Sequence, residues 1–515
     1  MKSRFIKASG DNRIDSLLSG TKWGEENVGS AVTLTYSIPE GSTYWSYTEE
    51  ANAGFSTLSG AQRDHFRSAM NTWAEVTQLT LTEVPDSTTY GDIRIAYTQS
   101  ITGNTQAYAY LPGTGTYSGD IITPNAKAGD IWVNPSLTDL APGSTGYSTL
   151  LHEIGHALGL KHSFEAEGGF PAVASGFDDT HYTVMSYTDY DGAGFVYADV
   201  NATQYTFREV MPTTLMPYDI LAAQYLYGTD TTTRTGDDTY TFGTSAELKT
   251  IWDAGGTDTI DASNQTQFGV NINLVDGAFS DIGARQTSYA GEKQQAIDNI
   301  AIAYGVVIEN AIGSGLADTL TGNNADNTLQ GGGGNDTIDG GAGTDTAKYS
   351  GQKSAYTVTK ESNGSLTVEG ADGKDTLQNI EQLAFDDGTF VVSELLSSTK
   401  IPTQKSEVDL TPGEAEVAYF LLEIADAQGK DVSVQYSTRD GSAVAGQDYV
   451  ATSGTATIAA GETHLAIAVA LVDDNIAEGN ETFSLVVTNP SGGIFPDNAV
   501  ELVAQRTIID NDSVV

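Results

Sequence analysis

The chain has no cysteine in its 515 residues, so no disulfide holds its fold and no thiol enters its chemistry. It is also poor in basic residues. Only 24 Lys and Arg stand against 68 Asp and Glu, a formal charge of −44 at pH 7. A surface of that sign repels nucleic acid and anionic membranes. It also repels itself, so a compact state calls for counter-charge. Divalent cations are the natural supply, and a merely solubilising acidic surface is the plainer alternative. No run of about eighteen apolar residues occurs, which excludes a helical membrane span. The opening MKSRFIKASGDNRIDSLLSG lacks the apolar core of a secretory signal. The protein is therefore expected to stay in the cytoplasm or to leave by a route that reads no N-terminal signal. At roughly 150 residues per domain, the length predicts about three domains.

Against these absences stands one dense stretch, Leu151 to Ser163, reading LHEIGHALGLKHS. Residues four apart share one face of a helix, so His152 and His156 point the same way. Two imidazoles so placed can hold one zinc ion. Glu153 is rotated off that face, toward a water on the metal rather than the metal itself. Gly159 accepts the left-handed conformation that stops a helix, after which the chain can bring His162 to the same ion. Three protein ligands leave a position open, the mark of a catalytic zinc site. The full pattern H-E-x-x-H-x-x-G-x-x-H is that of the metzincin zinc proteases, and it predicts a Met-bearing turn downstream. Thr183-Val184-Met185-Ser186-Tyr187 supplies one. The phrase YTVMSYTDY resembles the Met-turn of the serralysin family, secreted bacterial zinc proteases. That resemblance implies that Met185 floors the site. It also implies that Tyr187 is a further zinc ligand that swings away to hold the transition-state oxyanion. His181 reads as structural.

Residues 1–20 read as a leader, a propeptide remnant or a docking helix around Ile14 to Leu18. Residues 21–228 read as the α/β metzincin catalytic domain. Strands are expected at Ala31 to Ile38, Asp92 to Tyr97, Thr105 to Leu111 and Asp130 to Val133. A long amphipathic helix is expected from Ser59 to Val76, with Phe66, Met70 and Trp73 on one face, and a closing helix from Pro217 to Tyr227. In metzincins a strand at the rim of the cleft receives the peptide. Gln106 to Leu111 is the candidate rim, with an internal strand as the alternative.

Residues 229–400 change composition to Asp, Gly and Thr. Gly313 to Lys348 divides into four nine-residue units, GSGLADTLT, GNNADNTLQ, GGGGNDTID and GGAGTDTAK. Period and template match the calcium-binding parallel β-roll repeat. Glycines permit a tight turn whose carbonyls face inward, the sixth position supplies a carboxylate, and calcium wants several oxygens. Leu320, Leu329, Ile338 and Ala347 take the inward apolar position. Resemblance to such rolls implies one ion held by Ser314, Leu316 and Asp318 with Gly331, Gly333 and Asp336. A second would be held by Asn323, Ala325 and Asn327 with Gly340, Ala342 and Asp345, weakened by Asn327 in place of Asp. Upstream, Arg234, Gly236, Asp238, Asp253, Gly255, Gly256, Asp258, Val307 and Glu309 stand in the order of the serralysin C-terminal domain, which implies two further calcium ions. The serralysin resemblance covers residues of about 15 to 395.

Residues 401–515 alternate strand-like runs with turn clusters, as an all-β sandwich does. YSTRDGSAVAGQDYVATSGTATIAAGET and VDDNIAEGNETFSLVVTNPSGG resemble a Calx-β domain. Asp448, Asp473, Asp474, Glu478, Asp510 and Asp512 are then calcium candidates, or simply solvated acidic loops. The tail Asp512 to Val515 resembles a type I secretion signal. The chain is thus expected to be a multidomain, secreted, monomeric zinc endopeptidase. It would carry one catalytic Zn2+ and several structural Ca2+, take protein or peptide substrates, and use type I secretion machinery. The alternative is a calcium-dependent adhesion or matrix protein with an accessory protease domain.

Overall fold

The computed structural model describes the chain except residues 43–44, 46–48, 87–89, 191, 193, 199–204, 287–291, 362–364, 393–416, 425–429, 473–478, 494, 496–498 and 509–515. The described residues gather into two units, 1–327 with 331–333, and 328–330 with 334–515.

The first unit opens with β1 (Ser3–Phe5), α1 (Asn12–Asp15), β2 (Thr21–Trp23), β3 (Val32–Ser37), α2 (Gly60–Glu75), β4 (Leu79–Glu83) and β5 (Ile93–Tyr97). It continues with β6 (Ala107–Ala109), β7 (Gly115–Ser118), β8 (Ile121–Pro124), β9 (Asp130–Val133), α3 (Thr145–Leu158), the hairpin β10 (Gly194–Ala198) and β11 (Tyr205–Glu209), and α4 (Pro217–Tyr227). One sheet runs β4-β3-β5-β9-β6. Its first four strands are parallel and β6 is an antiparallel edge. The strand expected from Thr105 to Leu111 is therefore present, shortened to Ala107–Ala109, and it lies at an edge of the sheet rather than inside it. Arg94 on β5 and Asp130 on β9 pair bidentately inside this sheet at 2.7 Å for each bond. Burying two charges is tolerable because each meets the other in full.

The helices begin and end for local reasons. The Ser59 N–H donates to Gln62 Oε1, closing the start of α2, and Phe66, Met70 and Trp73 recur on its buried face. Ser144 Oγ accepts from the Tyr147 N–H at the start of α3. α3 stops at Gly159, φ 109°, where a Cβ would lie 2.3 Å from the Thr21 carbonyl oxygen. Only glycine fits there. The segment read as a leader, a propeptide remnant or a docking helix is built into this unit. β1 pairs with both β2 and β8, and Leu17 and Leu18 are fully buried.

The roll begins in the same unit. Three-residue strands Thr239–Thr241, Thr259–Asp261 and Asn310–Ile312 pair in parallel, as do Asn271–Asn273 with Thr319–Thr321. In the second unit Thr328–Gln330 pairs in parallel with Thr346–Lys348, so Leu329 faces Ala347 eighteen residues on. Leu320, Leu329, Ile338 and Ala347 are all buried, as their repeat position predicts. The second unit also holds the C-terminal sandwich. One sheet pairs Val417–Glu423 with His464–Ala470. The other runs Ser453–Ile458, Val432–Asp440, Glu481–Ser491, Glu501–Ile508. Their inner faces meet around Phe420, Tyr449 and Phe483, the last two stacked at 4.3 Å.

Candidate metal centre

α3 carries His152 and Glu153 into the interior of the first unit and places His156 one turn on. Gly155 lies between them because a Cβ there would approach Met185 Sδ to 2.7 Å and the Trp73 ring to 3.2 Å. The turn at Thr183–Ser186 thus packs directly beneath the helix, with Met185 fully buried. Beyond Gly159 the chain returns and His162 Nε2 comes within 3.2 Å of His156 Nε2. The three histidines each offer a nitrogen within 4.8 Å of the others.

Each ring has a partner on its far side. His152 Nδ1 lies 2.7 Å from the Val184 carbonyl and His156 Nδ1 lies 2.8 Å from the Leu160 carbonyl. A carbonyl only accepts, so both Nδ1 atoms carry the proton and both Nε2 lone pairs face the centre. His162 Nδ1 sits 3.1 Å from a Glu165 carboxylate oxygen. Burial pushes His152 down to about 4 and His156 well below its ordinary value, so both stay neutral at pH 7. Three imidazoles with converging nitrogens and outer partners form a donor set that fits zinc.

Glu153 is almost fully buried, and its Oε2 has no hydrogen-bond partner among the described residues. Burial pushes its carboxyl up to about 8. The Tyr187 hydroxyl lies 2.7 Å from His162 Nε2, and its side chain is 69% exposed, so it faces the open side of the cluster. His181 packs its ring 3.6 Å from that of Phe279, as a structural residue does.

One residue missed in the sequence organises the turn. Asp219, buried in the first turn of α4, accepts from Thr183 Oγ1 at 2.6 Å, from the Val184 N–H at 2.8 Å and from the Met216 N–H at 2.9 Å. It thereby holds the segment whose carbonyl orients His152. Its position just after a helix-starting proline was the available signal.

The acidic residues form a second kind of cluster. Asp238, Asp253 and Asp258 bring carboxylate oxygens within 4.8 Å of one another. Asp258 is fully buried, and its Oδ2 has no hydrogen-bond partner among the described residues. Burial, with neighbouring carboxylates adding to it, pushes Asp258 up to about 6. The Asp258 N–H donates to Glu309 Oε2 at 2.7 Å, so Glu309 joins the group. Arg234 takes the left-handed region at φ 53°, and its carbonyl accepts from the Ala254 N–H. A Cβ on Gly256 would meet the Gly236 carbonyl oxygen at 2.1 Å, so the two turns stack only with glycine there. The Gly255 N–H donates to Asp253 Oδ1, and Val307 is half exposed. Clustered carboxylates with an unpartnered oxygen fit a hard cation.

The repeat turns are more mixed. Asp318 accepts from the N–H groups of Ser314 and Val270 and from Ser314 Oγ, which also accepts from the Leu316 N–H. The Gly333 N–H donates to the Ser314 carbonyl, and the Gly331 carbonyl approaches Gly313 so closely that it would meet a Cβ at 2.3 Å. Asn323 Oδ1 accepts from the Ala325 N–H, and Asn327 Nδ2 donates to the Glu309 carbonyl at 3.0 Å. In the second unit the Asp336 N–H donates to Asp375, the Asp345 N–H to Glu381 and the Gly340 N–H to the Gln378 carbonyl. Ala342 is exposed. Asp375 and Glu381 were not among the expected site residues. The recurring Asp-Thr-apolar triplet was the signal for Asp375, because Asp375-Thr376-Leu377 runs in register beside Asp336-Thr337-Ile338. In the sandwich, Asp448 accepts from the Val444 N–H, while Asp473, Asp474, Glu478, Asp510 and Asp512 lie outside the described residues.

Fold and cluster together resemble a metzincin domain, a serralysin-type repeat region and a Calx-beta sandwich, in that order along the chain. The family comparisons agree. Residues 42–197 match the Matrixin model and 148–251 the Met-zincin model. Residues 218–451 match the peptidase M10 serralysin C-terminal model, and 398–512 the Calx-beta domain. The chain is 33% identical over 337 residues to a serralysin of Proteus mirabilis, covering 59% of this chain and 62% of that one. It is 34% identical over 327 residues to serralysin B of Dickeya chrysanthemi, covering 58% and 61%. It is 33% identical over 331 residues to the metalloprotease AprA of Pseudomonas entomophila, covering 60% and 62%. The chain thus spans about three-fifths of the length of the curated relatives it matches. Among the described residues no helix is long and apolar enough to cross a membrane.

Proposed function

We propose that the chain is a secreted zinc endopeptidase whose roll is stabilised by calcium. The observation that carries this reading is the convergence of His152, His156 and His162 beside the buried, half-unpartnered carboxylate of Glu153. In this reading the three histidines, with Tyr187 as a displaceable fourth ligand, hold one zinc ion, and Met185 forms the floor. Zinc, when bound, supplies a Lewis acid toward a peptide carbonyl and lowers the pKa of water. Glu153 takes the proton of the attacking water and passes it to the leaving amine. The Tyr187 hydroxyl, on an exposed side chain beside His162, donates to the developing oxyanion. β6, the edge strand of its sheet, receives the substrate backbone.

The calcium part of the reading rests on the Asp238, Asp253 and Asp258 group and extends by repeat position to the turns at Ser314 to Asp345. Domain limits near residues 228 and 400 follow the changes in composition. In the cytosol, where calcium is scarce, the acidic repeats would repel one another. Outside, binding and folding would be one event. Export through type I machinery accords with that logic.

The test is casein hydrolysis by the purified chain in millimolar calcium, with and without a zinc-selective chelator. Chelator-sensitive cleavage restored by zinc is expected. Glu153→Ala is expected to keep zinc and lose about 10²–10⁴-fold in kcat. Full turnover in a zinc-loaded Glu153→Ala protein would sink the assignment of the base.

A further inference from the structure

Lys161 stands between Leu160 and His162, and its side chain is buried. A buried ammonium is costly unless its charge and its three N–H groups are answered. Here every acceptor is a main-chain carbonyl. The Nζ donates to the carbonyls of Ser16 and Glu165, to that of Pro171 at 3.0 Å and to that of His162 at 3.3 Å. Four inward-facing carbonyls are a cage of the kind that hard metal ions occupy. The lysine fills it with a cation that is part of the chain.

The cage joins three segments around the third histidine. On one side, the Lys161 N–H donates to the Leu17 carbonyl at 2.7 Å and the Ser19 N–H donates to the Gly159 carbonyl at 3.0 Å, so residues 17–19 run antiparallel to 159–161. On the other side, the ammonium holds the main chain of Glu165, whose carboxylate lies 3.1 Å from His162 Nδ1. Pro171 closes the loop that starts at His162.

We propose that Lys161 is a positioning residue, a tethered cation that fixes the His162–Pro171 loop and so presets His162 for zinc. The N-terminal segment around Ser16 is then part of the support of the metal centre. The inference rests on the zinc reading above. A ligand held by outer partners loses about 10–100-fold in metal affinity when those partners go.

The test measures zinc affinity by competition with a fluorescent chelator in millimolar calcium, on wild-type, K161A and K161M. Both variants are expected to bind zinc about 10–100-fold more weakly. Amide exchange should quicken at residues 16–19 and 162–165. Propylammonium should restore much of the affinity of K161A, whose cage is empty, and little in K161M, whose cage is filled by an apolar chain. Should K161M fail to fold, K161Q, which keeps two donors without the charge, takes its place. Unchanged zinc affinity in the folded variants would overturn the inference while leaving the zinc reading standing. Loss of affinity in K161A without rescue by propylammonium would overturn the tethered-cation account. A wild-type chain that binds no zinc would overturn both.

Discussion

The histidine cluster and the Asp238, Asp253 and Asp258 cluster are both arranged to hold a cation, yet they stand on different ground without one. At the histidines, each outer nitrogen has an acceptor, and burial keeps His152 and His156 neutral, so those two ligands carry no charge for the cluster to oppose. At the acidic turn, like charges lie together and Asp258 is pushed up to about 6 by burial and its neighbours. Ligands held by a packed helix and by outer hydrogen-bond partners are preorganised. Carboxylates gathered in the turns beside three-residue strands resist their own assembly until a positive charge arrives.

That contrast predicts opposite costs of metal removal. Taking zinc away should abolish hydrolysis and leave circular dichroism almost unchanged. Taking calcium away should collapse the β signal of the roll and lower the melting temperature far more. The measurement is thermal melting in parallel with casein turnover, under a zinc-selective and a calcium-selective chelator. A roll that melts at the same temperature in calcium chelator would break the comparison, since its carboxylates would then need no counter-charge.

The two regions were also unequally legible. The histidine motif could be read because helical geometry translates spacing into direction, so His152, Glu153 and His156 fell where their numbers put them. Leu329 and Ala347 were readable for the same kind of reason, a repeat whose period sets which side chain turns inward. Long-range partners were not. Nothing near Thr183 announces that Asp219 will accept from its hydroxyl, and the Asp-Thr-apolar triplet marks Asp375 as a repeat position without announcing that it accepts from the Asp336 N–H. The N-terminal segment was legible only as a set of alternatives. Its composition leaves a leader, a propeptide remnant or a docking helix open, and the burial of Leu17 and Leu18 involves pairing with residues 159–161, which composition cannot express.

Asp219 offers the next test, of intermediate size. Replacing it by Ala leaves two backbone N–H groups and the Thr183 hydroxyl without their acceptor, and each buried orphan costs about 1–3 kcal/mol. A clear fall in melting temperature is expected, with weakened zinc binding through His152. Asp219→Asn should be mild, because its carbonyl can face the two N–H groups while its amide donates to Thr183 Oγ1. The pair also separates charge from shape. Burial pushes the Asp219 carboxyl up to about 7, above its ordinary value of 3.8, so between about pH 4 and pH 7 the folded state binds more protons than the unfolded. Its contribution is therefore full below the ordinary value and is lost as pH rises through about 7. Asp219→Asn should flatten that part of the stability profile. An unaltered slope would mean that the three donors keep the carboxylate ionised throughout.

The smallest effect is expected at Asn327, where the acidic pattern of the roll is broken. Its Oδ1 accepts from the Asn323 N–H, and its Nδ2 donates to the Glu309 carbonyl and to Asn323 Oδ1. The amide thus bridges two oxygens that a cation would otherwise draw together. Asn327→Asp removes those donors and adds a charge. Without calcium the variant should be less stable by about 1–3 kcal/mol, the cost of acceptors left facing one another. In millimolar calcium it should recover and take up one more ion than wild-type, measured by equilibrium dialysis. Recovery with an added ion would show that this turn differs from its neighbours by a single side chain and keeps their cation geometry. If stability stays low and the ion count is unchanged, the carbonyls here are set for an amide, and the difference lies in the backbone.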